Sequence, residues 1–213
     1  SGDLPNTTKT MAENTTTTKL EAVNTMLSAI QEAPVSSLDD TAIDDVSLAV
    51  SILEEVVKEL CMQPWDFNTE TEYELNPNND DEVIIPSGAV AVDVTSEHQG
   101  TKHYIVKGGK LYDKVAHSYE VTAPIKVDLV WLMEWDELPE EAKRLCLIRA
   151  ARILAARVLD DQSAVSYTLL DEQKAERNFR RAEGATGDYS IFNSTDAIRP
   201  LRRQSVLNQL RTR

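Results

Sequence analysis

Cysteine is scarce in this chain of 213 residues, which contains Cys61 and Cys146 and no other cysteine. Both lie in segments with helical periodicity, and their spacing matches no metal-binding motif. Isolated thiols of this kind are typical of small buried apolar residues in a reducing compartment. The sequence therefore predicts neither a disulfide nor a zinc site built on cysteine.

Long hydrophobic runs are also missing. No stretch approaches the roughly 20 apolar residues needed to cross a bilayer. The first nineteen residues are polar and rich in threonine, so we expect no signal peptide. We predict that residues 1–18 form a disordered N-terminal segment, in which residues 1–10, ahead of Met11, are either a natural disordered start or a remnant of cloning.

The motifs of several enzyme classes are absent. No Gly-rich loop opens a helix after a strand, and no Gly-x-Ser-x-Gly motif occurs. Adjacent acids such as Glu54–Glu55, Asp80–Asp81 and Glu140–Glu141 do not report the separation across a cleft that a glycosidase requires. We interpret them as solvated surface, and the sequence predicts no catalytic residue.

The three histidines His98, His103 and His117 all lie in one β-rich region. Three histidines in one module could bind zinc, but their spacing of five and then fourteen residues matches no known signature. We therefore predict no metal site and no cofactor.

Basic residues are few outside the C-terminus. The chain has 22 basic and 36 acidic residues, a formal charge of −14. Its last fifteen residues hold five arginines and no acid, so the other 198 residues carry 17 − 36 = −19. An acidic body argues against tight binding of nucleic acid. The arginines leave open a solubilising end, a DNA contact or a docking arm for an acidic partner; they are Arg199, Arg202, Arg203, Arg211 and Arg213.

Helical periodicity flanks the middle of the chain on both sides. On the N-terminal side, Leu20 to Ile30 forms one helical face that stops before Pro34, and a second helix runs over residues 43–62 with Thr41 and Asp44 as a capping arrangement. After the middle, three features are predicted: a helix from Pro139 to Leu159 broken at Asp160–Asp161, a helix from Val165 to Glu183 ending at Gly184, and a loop from Gly187 to Asp196.

The middle of the chain changes to β-type patterns separated by turn residues. Gly108–Gly109 is a two-residue hairpin signal, because both central positions of that turn require positive φ. Six strands are predicted, and we expect them to pair antiparallel: Thr71–Leu75, Glu82–Ile85, Ala89–Thr95, Lys102–Lys107, Lys110–Lys114 and Tyr119–Met133.

These elements predict an α+β fold in which a small antiparallel β module is inserted into an antiparallel four-helix-type bundle. The predicted organisation is a bundle from residues 19–64 and 136–198, an inserted β domain over 65–135, and a flexible basic arm over 199–213. Four aromatic residues bracket the module, and we expect them to pack where the sheet meets the bundle; they are Trp65, Phe67, Trp131 and Trp135.

Four passages in order make the chain resemble the tail tubular protein A family of short-tailed bacteriophages, the head-to-tail adaptors or gatekeepers. Together they span about residues 20–193, and the departures include Gln31, where a glycine is expected. The four passages are Leu20–Asn24 leading to the Glu-x-Pro-Val-x-x-Leu turn at Glu32–Leu38, the Trp-x-Phe-Asn segment at Trp65–Asn68, the Gly-x-Leu-Tyr-Asp hairpin at Gly109–Asp113, and Leu138–Pro139 followed by Ala150–Arg152.

The resemblance implies a non-enzymatic structural protein of the virion tail, assembled in the host cytoplasm. It would form a twelve-fold ring between the portal protein and the tail nozzle protein (tail tubular protein B), and be monomeric in isolation if the ring needs the portal as a template. Helices would pack side by side in the ring and against the portal, the β module would face the nozzle, and the Arg-rich arm would dock on the portal. Genomic DNA would pass through without specific binding, since a channel lined by acids repels phosphate.

Two other functions remain as alternatives. The first is a tail-associated polysaccharide hydrolase, for which the sequence shows no cleft-lining pair of acids. The second is a DNA-binding factor acting through the Arg-rich tail.

Overall fold

The computed structural model describes residues 16–38, 44–94, 104–159 and 167–193, with side chains described to residue 185. In these ranges the chain is a mixed α and β protein, which confirms the predicted α+β class. Its helices are α1 (Lys19–Ala29), α2 (Asp44–Cys61), α3 (Glu140–Val158) and α4 (Leu169–Asn193). The first three agree with the helical periodicity to within a few residues. The predicted cap at Thr41 and the break at Asp160–Asp161 lie outside the described residues.

The end of α4 differs from the prediction. Gly184 was expected to end this helix and residues 187–196 to form a loop, but α4 continues through Gly184 to Asn193. A glycine inside a helix costs about 1 kcal/mol relative to alanine. That penalty weakens a long helix without ending it, and Gly184 does not adopt the positive φ of a C-terminal cap.

Both ends of α1 are fixed by local hydrogen bonds. The Thr18 hydroxyl accepts from the Glu21 backbone N–H, and the Glu21 carboxylate accepts from the Thr18 backbone N–H, forming a capping box. At the other end, Gln31 has φ 66°, and the Glu32 N–H donates to the Leu27 carbonyl at 3.0 Å. This is a Schellman motif with glutamine at the position where glycine is favoured. Thr18 therefore belongs to the folded part, not to the predicted disordered segment.

The helix α3 packs against each of the other three helices. Ion pairs give the directions: Glu55 and Glu59 of α2 pair with Arg157 and Arg149 of α3 respectively, so α2 and α3 run in opposite directions. The regular antiparallel four-helix arrangement stays a prediction.

The β region contains five described strands in two antiparallel sheets. They are β1 (Thr69–Leu75), β2 (Ala89–Val94), β3 (Tyr104–Lys107), β4 (Lys110–Asp113) and β5 (Ile125–Trp131). One sheet has the order β1-β5-β2, and β3 and β4 form a two-stranded hairpin. Gly108 and Gly109 join β3 to β4 with φ of 61° and 74°, the backbone that a two-residue hairpin turn requires.

Two strand predictions are wrong in extent. Glu82–Ile85 makes isolated bridges at Glu82 and Ile84 instead of a strand. It lies between Asp81, whose φ is 57°, and Pro86, so few residues can extend. The predicted strand from Tyr119 to Met133 is shortened to β5, which begins directly after Pro124, a residue with no N–H to donate.

The buried apolar side chains form two separate clusters. The larger one, the helical core, joins all four helices with Trp135 and Leu138. The smaller one, the β core, contains Leu111, Val127 and Leu129 with five other buried residues. The proposed domain boundaries at 65 and 135 stay a prediction, but the chain crosses between the two clusters close to those positions.

Candidate functional site

The polypeptide crosses between the two cores at a junction centred on Asn68, which is 1% exposed. Its side-chain amide N–H groups donate to the carbonyls of Cys61 at 3.0 Å, Gln63 at 3.2 Å and Trp131 at 3.2 Å, and its Oδ1 accepts from the Trp65 N–H at 2.8 Å. One side chain thus binds the end of α2, the entry into β1 and the exit from β5. A buried amide with this many partners holds the crossing in one geometry.

Aromatic rings surround Asn68 on the helical side. The Trp65 ring centroid lies 4.7 Å from that of Phe179 on α4, and Phe67 lies 6.2 Å from the same ring, both edge to face. The Trp65 indole N–H donates to the Leu60 carbonyl at 2.9 Å, and the Arg180 guanidinium stands 5.4 Å from the Trp65 ring. These contacts fix α4 against the junction.

Trp135 and Trp131, the other two aromatic residues predicted at the junction, pack in different cores. Trp135 is buried in the helical core, and its indole N–H donates to the Thr17 carbonyl at 2.9 Å. Trp131 packs on the β core, 6.2 Å from Tyr73, and its buried indole N–H finds no hydrogen-bond acceptor among the residues that the structure describes. The four aromatics therefore flank the crossing from both sides.

A buried ionic cluster joins α3 and α4. Glu172 accepts from Arg149 Nε at 2.7 Å and from Arg152 Nε at 2.6 Å, with 11% of its side chain exposed. Burial raises the pKa of the Glu172 carboxyl, but the hydrogen bonds and charges of Arg152 and Arg149 outweigh it and leave that pKa below its ordinary value. The cluster is structural, because both arginines are used to hold α4.

A cleft of about 320 Å³ opens beside α2. Its walls are Leu53, Val57, Leu132, Met133 and Trp135, and its rim carries the charged side chains Lys19, Glu54, Lys58 and Glu134. Lys19 binds Glu54 across the rim at 2.6 Å. The cleft is mostly apolar and open to solvent, which suits a protruding apolar side chain of another protein.

Two helices present faces of opposite charge. The α2 helix carries five acids and one lysine, and its exposed face includes Glu54, Glu55 and Glu59. The exposed face of α4 begins with Leu169 and Leu170, which are 58% and 73% exposed. It continues with three exposed cations, namely Arg177, Arg181 and Lys174, the last of which interacts electrostatically with Asp171.

Among the described residues, no group of three or more His, Cys, Asp and Glu side chains is placed to hold a metal ion. His117 lies in the turn after β4, whereas His98 and His103 are outside the described ranges. Glu54, Glu55 and Glu140 are exposed surface residues, as predicted.

The two cysteines are free and buried in the helical core, which confirms their predicted role as small apolar residues. Burial raises the pKa of the Cys61 thiol, and it raises that of Cys146 to about 12. Neither thiol is therefore activated as a nucleophile. In the part of the chain that is described, no helix has the length and apolar character needed to cross a membrane.

The predicted docking arm, Arg199 to Arg213, lies outside the described residues. Sequence reasoning also missed two residues that organise the junction. Asn68 ends the Trp-x-Phe-Asn segment, but the sequence does not indicate the hydrogen bonds that its side chain makes. Phe179 gave no local signal, because a single aromatic on a polar helix does not report which distant rings it meets.

Comparison with known proteins assigns the chain to a family. A family model described as tail tubular protein matches residues 20–189, well over half of the chain. The chain is a structural component of a phage tail. It belongs to the tail tubular protein family.

One curated relative is tail tubular protein A of Klebsiella phage KP34. It is 30% identical to this chain over 125 residues, which are 58% of this chain and 64% of the relative. The match therefore spans less than two thirds of the relative's length.

Proposed function

We propose that this protein is the adaptor subunit that forms a ring between the portal and the tail nozzle and lets the genome pass. The observation that carries the proposal is the family match over residues 20–189, which covers both the helical part and the β module. The two-core architecture supports it, since a subunit between two unlike neighbours needs two separate contact regions. In this proposal the helical part faces the portal and the β module faces the nozzle.

The charge of the chain supports passage of DNA. Outside the last fifteen residues the formal charge is −19. Carboxylates near a passing duplex repel its phosphates, so DNA slides without being held, whereas a basic lining would bind it. We propose that twelve copies line the channel in this way and bind DNA without sequence preference.

The basic arm supplies a separate docking element. Its five arginines can form paired hydrogen bonds with carboxylates of the portal. Removal of residues 199–213 should leave the fold intact and reduce binding to purified portal protein. Unchanged portal binding after the deletion would contradict the docking role while leaving the ring itself untested by this experiment.

The direct test of the ring is electron microscopy of the full chain mixed with portal protein. A ring capping the portal is expected, with the chain alone as the control for template-independent assembly. Isolated copies on the portal, or no bound density, would contradict the proposal.

The described residues give less support to the alternative function of a polysaccharide hydrolase. The cleft beside α2 does hold the carboxylates of Glu54 and Glu134 together with Trp135. However, Trp135 is only 6% exposed and Glu54 is paired with Lys19, so the cleft lacks an open aromatic platform for a sugar. Release of reducing ends from capsular glycan, lost in Glu134→Gln, would reverse this conclusion.

A further inference from the structure

Any closed ring of identical subunits needs two different, complementary patches on each subunit, because each neighbour-to-neighbour contact is heterologous. The helical part offers two such patches on different helices. Both α2 and α4 pack on α3, and the two helices also line one small pocket, through Glu59 and Leu60 of α2 and Glu176, Phe179 and Arg180 of α4. Their outer faces are therefore available to two different neighbours.

The first patch, the α4 face, consists of Leu169, Leu170, Lys174, Arg177 and Arg181. Leu170, Lys174, Arg177 and Arg181 follow one another at spacings of four, three and four, so they share one side of the helix. The two leucines are among the most exposed large apolar side chains of the described residues. Two neighbouring exposed leucines beside exposed cations form an apolar patch with a charged border, which indicates a contact surface.

The second patch, the α2 face, consists of the apolar cleft and the carboxylates of Glu54, Glu55 and Glu59. The side chains of these glutamates are 61%, 70% and 65% exposed. They pair within the chain with Lys19, Arg157 and Arg149. Such exposed pairs contribute about 0–1 kcal/mol each, so the carboxylates remain free to meet a second cation.

We propose that the α4 face of one copy docks on the α2 face of the next copy, with Leu169 and Leu170 entering the cleft. This inference rests on the proposed ring and names the surfaces that would close it. Leu53, Val57 and Met133 would cover the leucines, and Lys174 and Arg177 would stand against Glu54 and Glu55. The apolar contact would supply most of the affinity, and the charges would set orientation and exclude wrong pairings.

This test and the association measurements below use the full chain bound to purified portal protein at low ionic strength, so that copies assemble even if the ring needs the portal as a template. For the first test, the bound copies are mixed from unlabelled and nitrogen-15-labelled chain. A zero-length carbodiimide reagent joins an ammonium to a carboxylate in direct contact, and mass spectrometry identifies links that connect the two isotopes. We expect copy-to-copy links between Lys174 and Glu54 or Glu55, weakened by added salt. Absence of such links would overturn the proposal.

Charge reversal makes the test specific. The α4 variant Lys174→Glu/Arg177→Glu and the α2 variant Glu54→Lys/Glu55→Lys should each lose about tenfold in copy-to-copy association measured by sedimentation velocity, because like charges then face each other. Mixing the two variants should restore association, since every contact between unlike copies is again between opposite charges. Loss without restoration on mixing would contradict the assigned pairing.

Two controls separate this surface from general charge effects. Lys107→Glu/Lys114→Glu changes the net charge by as much as the α4 variant does, but on the β module. It should leave copy-to-copy association unchanged. Leu169→Ser/Leu170→Ser should weaken association without altering thermal stability, because both side chains are already exposed.

The outcomes also distinguish this proposal from two alternatives: binding of nucleic acid by the α4 face, and a ring that is closed by other surfaces. If the α4 variant loses binding to a short DNA duplex but keeps copy-to-copy association, the face binds nucleic acid and the proposal is wrong. If rings form on the portal with the α4 variant as well as with the unmodified chain, the ring stands and only the assignment of its surfaces fails.

Discussion

The helical core and the β core differ in how they are held together. Among the described residues, the helical core buries 27 apolar residues, most of them in the four helices, whereas the β core buries 8. At about 25 cal/mol per Å² of apolar surface removed from water, the larger core carries most of the hydrophobic stabilisation. The β core depends more on strand pairing, tight turns and its attachment to the helices. This contrast suggests a rigid helical frame that carries a less independent module.

The largest expected effect comes from the centre of the helical core. Phe179→Ala removes the ring that contacts both Trp65 and Phe67 and leaves a cavity among buried side chains. We expect a loss of about 3–5 kcal/mol in the free energy of unfolding. Urea denaturation followed by circular dichroism measures it, and Leu129→Ala in the β core is the comparison.

If the helical core is the frame, Phe179→Ala lowers the stability of the whole chain, whereas Leu129→Ala mainly loosens the β module. Hydrogen exchange measures the loss of protection separately in the helical core and in the β module. Equal loss of protection in both regions for both variants would show that the cores unfold as one unit.

The next effect concerns the attachment between the cores. Asn68→Ala removes the five hydrogen bonds of the Asn68 side chain and leaves the carbonyls of Cys61, Gln63 and Trp131 without this donor. We expect a loss of about 2–3 kcal/mol, since buried polar groups without partners are costly. Amide exchange in β1 and β5 should accelerate more than in α3. Asn79→Ala, which removes an exposed asparagine in a turn of the β region, is the matched control.

The ionic cluster of the helical region predicts a pH dependence. Because the pKa of Glu172 is lowered in the folded state, its contribution is present above the ordinary carboxyl pKa of 4.5 and is lost as pH falls below that value. Glu172→Gln should cost about 2–4 kcal/mol at neutral pH, as it leaves two partly buried arginines without their carboxylate.

The measurement is the free energy of unfolding across the acid range. The difference between the unmodified chain and Glu172→Gln should shrink as the pH is lowered from 5 toward 3. Glu176→Gln, which removes the exposed pair with Arg180 on the same helix, should show little difference at any pH. A constant difference for Glu172→Gln would contradict the ionic role.

The smallest effects compare two backbone positions at positive φ, one in each region. Gln31→Gly should stabilise the chain by about 0.5–1 kcal/mol, because glycine adopts the left-handed cap after α1 without strain. Gly109→Ala should destabilise it by about 1 kcal/mol, since φ is 74° there. Thermal unfolding detects both, and changes of the same sign would contradict the conformations assigned to these turns.

Much of this fold could be predicted from the sequence, because its signals are local. The apolar spacing of α1 and α2, the start of α3 at Pro139 and the Gly108–Gly109 turn depend on neighbouring residues. The wrong predictions fall where distant parts of the chain determine the local structure. Gly184 lies inside α4, which continues as one longer helix, and Glu82–Ile85 pairs only at isolated bridges.

The candidate contact surfaces were less accessible to sequence reasoning. The sequence shows the excess of acidic residues. It does not show that several of them share an exposed face of α2, or that Leu169 and Leu170 are exposed. Those depend on which side of each helix packs on α3. The cleft likewise needs α1, α2 and the segment after β5 to meet in space.

The most direct test of the central claim is cryogenic electron microscopy of the full chain bound to its portal. We expect a closed ring of identical subunits, with the helical core against the portal and the β core on the opposite side. Density in which single copies bind the portal without touching each other, or in which the β core faces the portal, would contradict it.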